Sequence, residues 1–307
     1  MKKLFLVEKK DHYPHIAGIE ITEIYKATNV VQRLIRYIHI NSCVFKWLLH
    51  YWYGDWKYDI SKYDVIVILD SLLDNDIIPF IRRHNSCARL NLCYRNRVAT
   101  TMGHSVFLRD PRYWKEKFNC STWSYSKEDC NSYDMSFYSQ FFMAKDIPNY
   151  THNTKYDVFF VGKDKGRLNQ LLSIKDFFQQ NGYVSLFIII PDRRRYTKLE
   201  KRELSKPIPY KEVIHYDIHS LCILDIVTDD NYGLTYRVLE AIFLNKKLIT
   251  NYSDIVSYEF YHPNNVFIIG KDNWKNFGSF IRSNNVLIPD TVKSKYSFEN
   301  FINSIFK

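Results

Sequence analysis

Gly233-Leu234-Thr235 is followed two residues on by Arg237 and, one helical turn later, by Glu240. A guanidinium grips a phosphate through a fork of charge-assisted hydrogen bonds. Backbone N–H groups and a hydroxyl beside it complete an anion site. The bland reading of the same spacing is a surface Arg–Glu pair, worth ~0.2–0.5 kcal/mol. The flanking pattern favours the first. Cys222 to Val227 is a short apolar run, expected as a buried strand, and the polar turn after it closes at Gly233. Leu234, Val238, Leu239 and Ile242 then fall on one face of a helix. A helix N-terminus at the end of a buried strand presents unpaired N–H groups and a positive dipole end, which suits phosphate.

A second basic group follows a second such strand. Tyr156 to Gly162 is apolar and ends in glycine, and Lys163, Lys165 and Arg167 come directly after it. They could reach an anion; a solvated basic loop fits equally well. Tyr210, in Ile208-Pro209-Tyr210, could stack on a base or simply pack in a loop.

The elements that must position these residues read as strands alternating with helices. In the first half, strands are expected at Leu4–Val7, Ile19–Tyr25, Tyr63–Asp70, Arg89–Tyr94 and Cys120–Tyr125. A long amphipathic helix is expected over 29–53, with Val30, Val31, Leu34, Ile35 and Ile38 at core spacing. Ile77–His84 is a further helix, and 108–112 a turn. The pattern restarts after the polar stretch 146–154. A helix is expected at Leu168–Asn181, a strand at Val184–Ile190, and two short helices from Pro209 and from His215 to Ser220. Strands at 247–251 and 265–269 and a helix at 298–306 close the chain. The fold class is therefore α/β, two Rossmann-like domains in series. The expected division is 1–148 and 149–307, with the last helix a candidate to pack back on the first domain.

Composition bounds the function. The chain has 307 residues, 46% hydrophobic and 17% aromatic, which marks a packed protein rather than a disordered one. Lys and Arg number 43 against 33 Asp and Glu, a charge of +10 that favours anionic partners. Neither GxGxxG nor GxxxxGK[ST] occurs, which disfavours dinucleotide dehydrogenases and P-loop NTPases. The six cysteines form no CxxC pair, so a metal site is not expected and reduced thiols are. No run is long and apolar enough for a spanning helix, and the opening apolar run is too short for a secretory signal. A cytoplasmic protein is the expectation, with membrane contact, if any, peripheral. Arg193–Arg195 and the Lys46/Trp47/Trp52/Trp56 segment are candidates for anionic lipid or a phosphorylated glycan, against a solvated basic surface and core aromatics.

Tyr156–Gly162, Ile208–Tyr210, Leu224–Ile226, Gly233–Ala241, Lys246–Asn251 and Phe260–Val266, with Trp123–Tyr133 ahead of them, form an ordered set. In it the chain resembles bacterial GT-B glycosyltransferases of lipopolysaccharide core and capsule synthesis, including rhamnosyltransferase-like core-assembly enzymes. Such proteins often carry Gln just before the Gly-Leu-Thr block; Asn231 is the nearest residue here. The resemblance implies two Rossmann-like domains facing a cleft. It implies metal-independent hexosyl transfer with no cofactor beyond the nucleotide-sugar substrate. The acceptor would be a lipopolysaccharide core or another lipid-linked glycan at the inner face of the cytoplasmic membrane.

On that reading Gly162, Lys163, Arg167, Tyr210, Gly233, Leu234, Thr235 and Arg237 hold the donor, and Glu240 accepts hydrogen bonds from ribose hydroxyls. An inverting reaction needs a general base in the first domain. Asp11 and His15 are the first candidates, Asp70 the second and Asp110 the third; each alone is also an ordinary turn or capping residue. Nucleic acid is not an expected partner, since no helix-turn-helix, zinc-finger or RNP pattern is present. The competing class is a non-catalytic nucleotide- or nucleic-acid-binding α/β protein, and a transferase fold without activity is a third.

Overall fold

Val65, Ile66, Val67, Ile68 and Leu69 are all buried, as a parallel strand covered on both faces requires. They belong to the first of two parallel sheets in a computed structural model that describes residues 1–26, 28–40, 46–70, 74–102, 109–143, 147, 153–228 and 233–307. The side chains of residues 46, 47 and 70 are outside that description, as are Asn231 and most of the polar stretch 146–154.

The first unit comprises Met1–Ser139 with Phe301–Lys307, the second Gln140–Asn300. In the first, the elements are β1 (Lys3–Val7), β2 (Ile19–Glu23), α1 (Val30–Ile40), β3 (Val65–Asp70), α2 (Ile77–His84), β4 (Arg89–Tyr94), α3 (Val98–Met102), α4 (Pro111–Phe118), β5 (Cys120–Ser124), α5 (Lys127–Tyr133) and β6 (Ser136–Phe137). The second contains β7 (Tyr156–Lys163), α6 (Leu168–Gln180), β8 (Ser185–Ile190), α7 (Tyr210–Ile218), β9 (Ser220–Asp225), α8 (Tyr236–Leu244), β10 (Lys247–Thr250), β11 (Val266–Ile268), α9 (Phe277–Arg282) and α10 (Asp290–Lys293). The closing helix α11 (Phe298–Ile305) carries the chain back into the first unit, where Phe301 and Phe306 pack on Phe5.

The strand orders are β2-β1-β3-β4-β5-β6 and β11-β10-β9-β7-β8. Counted from the first strand of each unit, both begin 2-1-3-4-5. All named pairs are parallel; Phe159, for example, faces Ile223 and Val158 faces Cys222. Each sheet therefore has a point, between its first and third strands, where the chain reverses direction of travel. Ligands of open α/β sheets bind outside the carboxyl ends of the strands at that point. In the second unit Ile223 and Leu248 pack with Val238, Leu239 and Ile242 of α8. Phe160, Leu224 and Ile249 pack with Leu171 and Phe178 of α6 and Phe277 of α9. The two sets include alternate residues of the same strands, so the sheet is covered on both faces.

Three helices where expectation and structure differ have local causes. Within the segment 108–112, whose first residue lies outside the described residues, Asp110–Arg112 is a helix start: the Asp110 side chain caps α4 by accepting from Arg112 N–H at 2.8 Å, and Pro111 takes the first position, where a missing N–H costs nothing. Tyr210–Ile218 is one continuous helix rather than two, and Ser220 already belongs to β9. Of the helix expected over 29–53, α1 covers Val30–Ile40 and 46–51 is a short 3-10 turn, with 41–45 outside the described residues. Helix α1 has no buried residue; its apolar stripe is turned away from the fold. Cysteines 87, 93, 120, 130 and 222 are free thiols, and Cys43 lies outside the described residues. Among the described residues no helix is long and apolar enough to cross a membrane.

Candidate functional site

Two guanidiniums converge on one glycine. A Cβ on Gly162, near the end of β7, would lie 3.2 Å from Nη2 of Arg167 and 3.2 Å from Nη2 of Arg237. It would also lie 3.3 Å from Phe160 Cζ, so a side chain here would have to push its neighbours back by a few tenths of an ångström. Arg167 stands just before α6 and Arg237 is the second residue of α8. Both guanidiniums sit over the Phe160 ring, at 5.4 and 5.7 Å from its centroid. Arg237 Nη2 donates to the Val161 carbonyl, and Arg167 Nη2 to the Lys163 carbonyl at 3.0 Å. The Nε of each is buried with no hydrogen-bond partner among the described residues. Burial, and then the neighbouring Arg237 charge, pulls Arg167 below its ordinary pKa.

The start of α8 faces the same place. Gly233 has φ of 136°, a conformation open to glycine and strained for other residues. Leu234 is buried in the core below, and Thr235 is the N-cap, its hydroxyl accepting from Val238 N–H at 3.4 Å. The first-turn N–H groups have no intrahelical partner. The Thr235 hydroxyl also bonds Asp225, the last residue of β9, whose carboxyl is raised by burial. All this lies at the carboxyl ends of β7 and β9, the reversal point of the second sheet.

Glu240, one turn beyond Arg237, is 3% exposed and turned inward. It takes a hydrogen bond from the Tyr210 phenol, the first residue of α7. The Tyr210 ring stands edge-on to Tyr236, and burial followed by the Glu240 charge raises its phenol. Asp217, also on α7, is 1% exposed, and neither carboxylate oxygen has a hydrogen-bond partner among the described residues. Burial, then Glu240, raises the Asp217 carboxyl well above the ordinary range; burial also raises Glu240. The Tyr210 bond works against the rise at Glu240, and no such bond works against it at Asp217.

The nine donor-site candidates thus fall on three segments of the second unit: the β7–α6 turn, the start of α7 and the start of α8. Lys163 and Lys165 are exposed on the first of these. Phe160, Asp217 and Asp225 were not among the candidates. Asp225 had a signal, an acid at the end of a buried apolar run; Phe160 and Asp217 had none.

Of the Arg193–Arg195 run, Arg194 is committed internally, to Asp164 at 2.7 Å and Glu200 at 2.9 Å, and it stacks on Tyr196. Asp164 in turn caps α6 through Leu168 N–H at 2.7 Å.

In the first unit, Asp11 lies in the turn Lys10–His12 and His15 shortly after it, both exposed, in the loop that follows β1. Asp70 ends β3, the parallel neighbour of β1, and its side chain lies outside the described residues. All three therefore belong to the carboxyl edge of the first sheet, at its own reversal point. Asp110 is engaged by Arg112, whose hydrogen bonds hold its carboxyl below the usual range, a poor base. Among the described residues no group of three or more His, Cys, Asp or Glu is placed to hold a metal ion.

No protein-family profile and no curated protein matches the chain. Among solved structures it is similar to Anabaena HepE, determined in complex with UDP and glucose, at 10% identity and a TM-score of 0.50, over 96% of this chain and 92% of that one. It is also similar to a Listeria monocytogenes protein provisionally described as a UDP-N-acetylglucosamine 2-epimerase, at 8% identity and a TM-score of 0.45, over 96% and 94%. The likeness to HepE is one of fold: this chain has the GT-B-like architecture of two Rossmann-like α/β units.

Proposed function

We propose that the protein is a glycosyltransferase that moves a hexosyl group from a nucleotide-sugar donor to a lipopolysaccharide core or other lipid-linked or capsular glycan, at the inner face of the cytoplasmic membrane. The observation that carries this reading is the pair of guanidiniums around Gly162, beside the N-terminus of α8. Arg237, Arg167 and the first-turn N–H groups of α8 would hold the donor phosphates and take up the charge that develops on the departing one. Gly162 lets the phosphates approach the backbone. Glu240, which already accepts from Tyr210, would accept from ribose hydroxyls through its remaining lone pairs. Lys163 extends the basic edge. Asp11, His15 and Asp70 are the proposed bases for the acceptor hydroxyl. That HepE was solved with UDP and glucose supports a nucleotide-sugar ligand for this fold.

The test is thermal unfolding with UDP-, GDP-, CMP- and dTDP-sugars. One nucleotide class is expected to stabilise the protein, by about 2.7 kcal/mol at a concentration about a hundredfold above Kd. A flat response to all four sinks the donor site. A shift without release of nucleotide in the presence of any acceptor glycan leaves a nucleotide-binding protein, the competing class.

Gly162→Ala gives a sharper version. The new methyl pushes against both guanidiniums and the Phe160 ring, whose flexible ends yield by a few tenths of an ångström. Donor affinity is expected to fall about tenfold, roughly 1.4 kcal/mol, while Tm moves little. Titration by calorimetry reads this; unchanged affinity would place the phosphates elsewhere.

A further inference from the structure

Helix α1 presents its two faces the opposite way from an ordinary surface helix. At about 100° per residue, Gln32, Arg36, His39 and Ile40 share one side, and Val30, Val31, Leu34, Ile35 and Ile38 the other. The fold holds the polar side. The Arg36 guanidinium lies 4.5 Å from the Tyr25 ring centroid, and His39 Nδ1 accepts from Trp52 Nε1 at 3.0 Å. Ile40 packs against the core of the first unit. The apolar side is left out: Val30 is 74% exposed, Val31 64%, Leu34 61%, Ile35 39% and Ile38 50%. A contiguous aliphatic stripe of this kind marks an interaction surface.

Charge indicates the partner. From Ile24 to Gly54 the sequence holds no Asp or Glu, while Lys26 and Arg33 fall within it and are exposed. A second copy of the chain on this face would set that basic margin against itself. An anionic bilayer suits it: aliphatic side chains enter the headgroup boundary, and basic ones remain at the phosphates. Trp52 and Trp56 are not part of this surface, and the side chain of Trp47 lies outside the described residues. Trp56 is 3% exposed, its Nε1 bonded to the Ile24 carbonyl at 3.0 Å, and Trp52 is bonded to His39.

We infer that the outward face of α1 is a docking surface for an anionic phospholipid bilayer. This names the membrane partner of the proposed transferase, and rests on that reading for its purpose though not for the binding itself. The test floats the full chain through a density gradient with vesicles of phosphatidylglycerol and phosphatidylethanolamine. The wild type is expected to rise with them and to remain at the bottom with phosphatidylcholine alone. Leu34→Glu combined with Ile38→Glu is expected to lower the partition coefficient about tenfold or more. Its Tm and nucleotide-induced shift should stay as in the wild type, since both side chains are exposed. Arg33→Glu should weaken partition at low salt, with the deficit fading at high salt.

Flotation of the double variant like the wild type overturns the inference. So does a wild-type dimer in sedimentation that the double variant converts to monomer, the mark of a second copy on this face. Flotation with no nucleotide shift would sink the transferase reading and leave the surface standing; a nucleotide shift without flotation does the reverse.

Discussion

Arg237→Ala is expected to abolish the stabilisation by nucleotide sugar and to lower kcat/KM by roughly 10²–10³-fold, the effect of removing one preorganised donor to a developing anion. The size follows from placement. Arg237 reaches the Gly162 corner from α8, spends one N–H on the Val161 carbonyl, and keeps a buried Nε without a partner. It is also a compensating charge for Asp217, Asp225 and Glu240, so its loss should lower Tm as well. The two consequences separate with Arg237→Lys. Lysine restores a cation near the acids but not the fork, so Tm should largely recover while kcat/KM does not. Isothermal titration and initial rates on the three proteins read the difference. A nucleotide shift that survives both Arg237→Ala and Glu240→Ala would move the donor site away from α8.

Asp217→Asn is expected to stabilise the protein at pH 8 and to leave it nearly unchanged at pH 4. The Asp217 carboxyl is raised well above its ordinary value, first by burial and then by Glu240. A raised acid in the folded state keeps its proton while the unfolded chain has already released it. Stability therefore falls as pH climbs from the unfolded value, near 3.9, towards the folded one, by about 1.4 kcal/mol for each pH unit between them. Asparagine removes that slope. Tm measured across pH should flatten in the variant and cross above the wild type on the alkaline side. A variant less stable than the wild type at pH 8 would mean that ionised Asp217 is paired in the folded state.

Much of the scaffold can be read from spacing alone. Continuous apolar runs such as Val158–Val161 and Cys222–Leu224 suit strands buried on both faces, and the glycine and acid that end them mark the edge where a ligand approaches. Arg237 and Glu240 share a helix, so their relation is local and visible. Tyr210 and Glu240 are brought together only by the packing of α7 on α8, which no local pattern encodes. Phe160 sits inside an apolar run, where an aromatic platform and a core residue look alike. Asp217 reads as one more polar residue on a helix until the fold buries it. Periodicity showed that 30–38 carries an apolar stripe, but not which side would meet the fold; Arg36 on Tyr25 and His39 on Trp52 decided that.

The ring of Phe5, in the first strand, is flanked by Phe301 and Phe306, with centroids 6.2 and 6.1 Å away. This strand thus cannot receive that cover until the chain has been made through Phe306. At about 5–20 residues per second, the ribosome leaves that strand without its aromatic cover for on the order of 15–60 s. That interval, rather than the folded state, is then when this sheet is most open to wrong partners, and when a holding chaperone would matter most.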